Sequence, residues 1–338
     1  MSVVGDYFRE LLRSTRDGWN RFWFTPADPA TLGLIRILAG AMLFYTHLIW
    51  SLDLEAFFGQ HGWISHEALA RLPGRDYTWS YFNCIDSPSV LWIAHIAALV
   101  VFLLLTLGLF SRTMAVLGFF ITISYANRAS FALFGLDDIN AMLALYLAIG
   151  PCGAAYSLDR LLRRSRLAAS LATRSNGDQP PAIHPRTDAN ISIRLIQIHM
   201  CVIYLFAALG KLMGPAWWNG SATWMSVANL EYQSMDMTWL AGWPILISLL
   251  THVTVWWELS YCVLVWPRLT RPLMLALAIP IHLGIAMFLG MMTFGLAMLI
   301  ANLAFVSPWL VRRLFGRRPA EQGRGGARAA LQPIPAAQ

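Results

Sequence analysis

The apolar positions of this chain fall into long runs, not into short alternating patches. Cut at glycines, prolines and polar residues, the runs give eight stretches at 32–51, 90–110, 112–129, 137–155, 193–212, 244–266, 271–287 and 291–310. Each is close to the ~20 residues that a helix needs to cross a bilayer core. Stretches such as LVVFLLLTLGLF (99–110) lack the period-two alternation of a barrel strand. A lipid-exposed backbone must also satisfy its own hydrogen bonds, so helices are the predicted element. The last two stretches share one apolar run, and the break between them is placed near Leu289-Gly290. The first 25 residues read differently. Val4, Phe8, Leu11, Trp19 and Phe22 recur at helical spacing with Arg9, Arg13 and Arg16 between them, as in a helix lying in the membrane interface. They lack the continuous apolar core of a secretory signal. The expected fold is an all-α integral membrane protein, a polytopic bundle of about eight transmembrane helices over 26–312. It adds an N-terminal interfacial amphipathic helix (1–25), a polar linker at 163–190 and a disordered tail at 313–338.

Composition agrees. Hydrophobic residues make up 57% of the chain and charged residues 13%, against roughly 25% charged in soluble domains. A mean hydropathy of +0.53, with 15 Trp, makes lipid the expected solvent. The same numbers exclude intrinsic disorder, collagen and secreted disulfide scaffolds. The four cysteines form no CxxC or metal-ligand spacing, so no metal site is expected. Cations carry the orientation. Of 24 arginines, nineteen lie in 1–25, 111–112, 156–192, 267–271 and 311–338, which places both termini in the cytoplasm by the positive-inside rule. The arginines flank apolar segments and do not line one face, so nucleic acid is not an expected partner.

Ionisable groups within apolar spans are costly and point to function. His47, His95, Asp137, Asp138, Lys211, His252 and His282 fall at the outer half or edge of their spans, and Glu258 lies near mid-depth. They either surround one outward-facing cavity or are scattered interfacial residues. Lys211 is the single lysine of the chain and ends the span RLIQIHMCVIYLFAALGK. It is either a snorkelling anchor or a base, because a lysine in an apolar pocket can give up its proton and an arginine cannot. Glu258 reads most simply as a buried carboxylate paired with another helix, and Asp137 and Asp138 as caps at a helix N-terminus. His282, two residues after Pro280, is either a satisfied core histidine or a ligand-holding group. The outer connections 52–89 and 213–243 are rich in tryptophan, Trp217 and Trp218 among them. They form either an interfacial aromatic belt or a lid over a site.

Five segments in order carry a resemblance. DLEAFFGQHGWIS (53–65) and NRASFALFGLDDINAMLALYLAIGPCGAAYSLDRLL (127–162) resemble the horizontally transferred transmembrane (HTTM) domain. VIYLFAALGKLMGPAWWNG (202–220) is similar to the segment of vitamin K-dependent gamma-carboxylase that holds its catalytic lysine. WELSYCVLV (257–265) and HLGIAMFLGMMTFGLAMLIANLAFVSP (282–308) resemble later helices of that enzyme. The resemblance covers most of 20–312. It implies a membrane enzyme, in a bacterial inner membrane, whose lysine deprotonates a vitamin K- or menaquinol-like reduced quinone. The quinol anion reacts with O2 to give an alkoxide base, a glutamate is deprotonated and takes up CO2, and the quinol leaves as an epoxide. By position Lys211 would be the base, with Asp137 and Asp138 in the catalytic region and His282, Trp217, Trp218 and Glu258 about the quinol. The implied partners are membrane lipid, the quinol and a protein or peptide substrate at the outer face.

Two departures shape the expectation. The carboxylase has a histidine near the start of the fourth span, where this chain reads FGLDDIN, and the large luminal substrate-binding region is not found within 338 residues. Quinol oxidation is therefore expected and glutamate carboxylation is not. The competing reading is a non-catalytic HTTM subunit that binds lipid or quinone. A transporter is disfavoured, since no internal repeat stands out.

Overall fold

The computed structural model describes residues 3–71, 78–172 and 184–315. Among them the secondary structure is helical, with no strand beyond one isolated bridge between Ala27 and Arg186. The main helices are α1 (Val3–Phe24), α2 (Ala30–Trp50), α3 (Pro88–Leu107), α4 (Ser111–Arg128), α5 (Gly135–Ile149) and α6 (Leu158–Ala172). They continue as α7 (Thr187–Leu212), α8 (Pro244–Leu264), α9 (Arg271–Phe288), α10 (Met292–Asn302) and α11 (Pro308–Leu314).

Each of the eight apolar stretches holds a helix, but not each helix is a full span. Five segments are long and apolar enough to cross a membrane: Ala30–Phe58, Pro88–Leu107, Thr187–Leu212, Pro244–Leu264 and Arg271–Phe288. The others fall short for local reasons. α5 stops at Ile149, not at 155, because Gly150 precedes Pro151 and a residue before proline is pushed out of the helical region. Its 15 residues reach only about 22 Å, below the ~30 Å of hydrocarbon. α4 has 18 residues with Arg112 and Arg128 near its two ends. α10 ends at Asn302, and the segment Met292–Phe305 meets α11 at a bend of 115°. Pro308, at the start of α11, cannot continue a hydrogen-bonded ladder from the preceding turn. The break between α9 and α10 lies where the sequence places it, at Gly290, whose φ of 67° suits a residue without a Cβ.

The polar linker also differs from expectation. Its first part is the helix α6 and its last four residues open α7, while 173–183 lies outside the described residues. The expected disordered tail lies outside them from residue 316 onward, and 313–315 are described, with Arg313 and Leu314 closing α11. α1 is the helix anticipated at 1–25. Leu12, Tyr7, Val4 and Trp19 are largely exposed along it. It is anchored at its end, where Asn190 Nδ2 donates to the Phe22 and Trp23 carbonyls.

One apolar core joins α2 to α5 with α7 to α10, through Leu43, Phe102, Leu143, Met200, Tyr261 and Met298. Arg128 is fully buried at the end of α4 and donates to the carbonyls of Gly59 (2.5 Å) and Ile64 (2.9 Å), pinning the connection after α2 onto the bundle.

Candidate functional site

The α7–α8 pair builds the centre of the site. Tyr204, Ala208 and Lys211 stand four and three residues apart, so they share one face of α7. Glu258 and Tyr261 likewise share a face of α8. Lys211 Nζ donates to Glu258 Oε1 at 2.9 Å and lies 2.8 Å from Oε2, so the ammonium straddles the carboxylate. Glu258 is 9% exposed and Lys211 23%. The indole of Trp217 lies over the ammonium, 5.3 Å from Nζ to the ring centroid, a cation–π contact. Trp218 turns away from the pair. It is exposed and donates its indole N–H to the Leu212 carbonyl at 2.7 Å.

Beneath the ion pair runs a buried hydrogen-bond chain across four helices. Asn302 Nδ2 donates to Tyr204 Oη at 2.8 Å and to the Met298 carbonyl at 2.9 Å, and Tyr261 donates its hydroxyl to Asn302 Oδ1 at 2.5 Å. Tyr204 Oη also meets His282 Nε2 at 2.6 Å. Since Asn302 supplies the proton on one side, the Tyr204 proton is left for His282, and Nε2 accepts. The ring proton then sits on Nδ1, which is buried and has no hydrogen-bond partner. An unmatched buried donor costs about 1–3 kcal/mol. His282 is held by close packing of α9 on α10, where its carbonyl oxygen lies 2.4 Å from the position a Cβ would take on Gly295.

The remaining ionisable residues do not join this cluster. Nδ1 of His95 meets Tyr125 Oη at 2.6 Å and its Nε2 meets Ser51 Oγ at 2.7 Å, so its ring is fully engaged between α2, α3 and α4. Nδ1 of His47 donates to the Leu43 carbonyl at 2.7 Å, and the ring packs on Phe102 and Tyr125. Asp137 accepts from the Phe134 N–H at 3.1 Å, a reach-back typical of a helix N-terminus, and borders a narrow space with His47 and Asn140. Asp138 is exposed. The α5 start is separated from the lysine cluster by Phe294, whose ring packs against Gly135 on one side and near His282 on the other. His252 lies on the rim, its Nδ1 2.8 Å from the Ser248 carbonyl and its Nε2 3.3 Å from the Trp218 carbonyl, each of which can only accept.

One outward-facing cavity lined by all seven outer ionisable residues is therefore not what forms. Position along a span gives depth, while rotation about the helix axis decides which neighbours a side chain meets. His47, His95 and Asp137 turn toward one half of the bundle and Lys211, Glu258 and His282 toward the other. Tyr204, Tyr261 and Asn302 escape a search for ionisable groups because they carry no charge. The four- and three-residue spacing of Tyr204, Ala208 and Lys211 was the signal that could have found the first of them. Val202 and Phe206, earlier on the same helix as Lys211, are 43% and 67% exposed and do not enclose it. No family model, no curated protein and no solved structure matches the chain.

Proposed function

We propose that the chain is an HTTM-type membrane protein resembling vitamin K-dependent gamma-carboxylase, with about eight transmembrane helices, the short α5 and the bent α10–α11 pair counted among them, both termini cytoplasmic and a bacterial inner membrane as its setting. On this reading it oxidises a reduced quinone lipid with O2, and Lys211 is the base. The observation that carries the reading is the meeting of the only lysine with a buried carboxylate, beside a buried histidine whose Nδ1 has no hydrogen-bond partner.

The pair holds one proton between amine and carboxylate. In apolar surroundings, separated charges lose much of their advantage over the neutral amine–acid form. With the shared proton on Glu258, Lys211 is a neutral amine able to accept a phenolic proton, and the ammonium so formed stands against the phenolate. His282 Nδ1–H would donate to the other ring oxygen, which satisfies the buried donor. Trp217 would keep water from the ammonium, and Trp218 would sit at the rim. The quinol supplies the reducing chemistry toward O2. Asp137 and Asp138 have no role in this proposal, and neither does uptake of CO2 onto a protein or peptide.

A second reading is favoured by one observation: Lys211 is already paired with Glu258 and covered by Trp217. A lipid- or quinone-binding subunit would need no more than that. Lys211→Arg separates the two. Arginine preserves the ion pair but cannot act as a base at neutral pH. Purified protein supplied with reduced menaquinone or vitamin K and O2 should yield the quinone epoxide, and Lys211→Arg should not. Bound quinone with no turnover in either protein would favour the subunit.

A further inference from the structure

We propose that the cleft between the start of α4 and α6 binds the phosphate headgroup of an anionic phospholipid. The cleft has a volume of about 440 Å³ and presents Arg112 from α4 with Arg163 and Arg166 from α6. All three arginines are exposed, and among the described residues none has an ion pair or hydrogen-bond partner. The one acidic group in the cleft is already committed. Asp159 accepts from the N–H groups of Phe110 and Ser111 and from the Ser111 hydroxyl, each at 2.8 Å. Its carboxylate therefore closes the α4 N-terminus, and the helix end is not free to attract an anion.

That leaves three unmatched cations around one spoken-for carboxylate, and guanidinium groups match phosphate oxygens in geometry as well as charge. The rim tells a lipid from a free ion. Phe110 is 64% exposed and Leu162 44%, both bordering the cleft at the end of an apolar helix pair. Inorganic phosphate has no use for those side chains, whereas the glycerol and first acyl carbons of a phospholipid do. Basic pockets at the arginine-rich membrane boundary are a recurrent means of holding anionic headgroups. The inference rests on the membrane placement proposed above and is independent of the quinol chemistry.

The test uses the full chain in zwitterionic detergent, with short-chain phosphatidylglycerol, phosphatidylcholine of the same chain length and inorganic phosphate as separate titrants. Bound lipid is counted by native mass spectrometry, and thermal unfolding is followed in parallel. Phosphatidylglycerol should bind and raise the unfolding temperature, and phosphatidylcholine should do neither. Replacing Arg112, Arg163 and Arg166 by Gln should weaken phosphatidylglycerol roughly a hundredfold, from about one surface-arginine contribution each. Replacing Arg9, Arg13 and Arg16 on α1 by Gln should leave it unchanged. An equal loss from the α1 set would reduce the effect to diffuse attraction and overturn the site, as would no loss from the cleft set. Inorganic phosphate matching the lipid at equal concentration would overturn the lipid assignment. If the triple replacement does not fold, Arg163→Gln with Arg166→Gln, both on the exposed face of α6, is judged by the same criteria.

Discussion

The Lys211–Glu258 pair offers the sharpest energetic expectation. Breaking a fully buried ion pair costs about 3–5 kcal/mol because the surviving charge is left without a partner. Here Glu258 is nearly enclosed and Lys211 is 23% exposed, so water can recover part of the loss on the lysine side. We therefore expect Lys211→Met to destabilise by about 3 kcal/mol, since it strands the enclosed carboxylate, and Glu258→Leu by about 2 kcal/mol, since the stranded ammonium can reach water. The double replacement removes both charges and leaves two apolar side chains of similar size, so it should cost about 1–2 kcal/mol, far less than the sum of the singles. The coupling energy is thus expected at about 3–4 kcal/mol. Glu258→Gln keeps an acceptor for the ammonium and should cost less than Glu258→Leu. The assay is reversible unfolding in mixed micelles on adding a denaturing detergent, followed by tryptophan fluorescence, for wild type, both singles and the double. Additive single effects, with coupling below about 0.5 kcal/mol, would refute the pairing as an energetic unit.

Three further outcomes follow from the geometry. Asn302→Leu removes a hydrogen-bond partner of both Tyr204 and Tyr261 and should destabilise by about 2–4 kcal/mol, with a milder effect for Asn302→Gln, which keeps both the donor and the acceptor; a loss below about 0.5 kcal/mol would show that the chain is not formed. Asp159 is pulled two ways: burial alone would raise its carboxyl, but the hydrogen bonds from Ser111 and Phe110 outweigh it and hold the group below its ordinary value. A folded-state value below the unfolded one stabilises above the ordinary carboxylate range and is lost as pH falls through the lowered value. Wild type should thus lose thermal stability on acidification more steeply than Asp159→Asn, and parallel profiles would contradict the cap. For topology, cysteines introduced at Ser165 and Met225 in a background lacking the exposed Cys84 should label from opposite sides of the membrane; labelling from one side would overturn the eight-span arrangement.

The places where helices begin and end were largely legible, because the signals are local. Gly290 between α9 and α10 and Pro244 at the start of α8 act on their own backbone where the sequence places those boundaries, whereas the expected stretches 90–110 and 291–310 run past Gly108 and Pro308. The extent of the spans was less so. Apolarity continues through 150–155 and 303–307, yet Gly150-Pro151 and the turn before Pro308 interrupt the ladder there, and hydropathy does not register hydrogen bonding. The arrangement around Lys211 was the least legible. Its pairing with Glu258 depends on how two helices 47 positions apart in sequence rotate against each other, and that rotation is set by packing along their whole length. Lys211 itself was visible as a compositional exception. Asn302, which ties Tyr204 to Tyr261, had no such mark.

In the proposed reaction Lys211 must surrender a proton in order to act. The most direct measurement is quinone epoxide formed by purified wild type, Lys211→Ala and Lys211→Arg from reduced menaquinone and O2, with folding of each protein verified by the unfolding assay. Epoxide is expected from wild type alone, with partial recovery of Lys211→Ala by a small added amine and no recovery of Lys211→Arg. Undiminished turnover by a folded Lys211→Arg protein would contradict the base assignment, and absence of epoxide from wild type would contradict the proposed reaction.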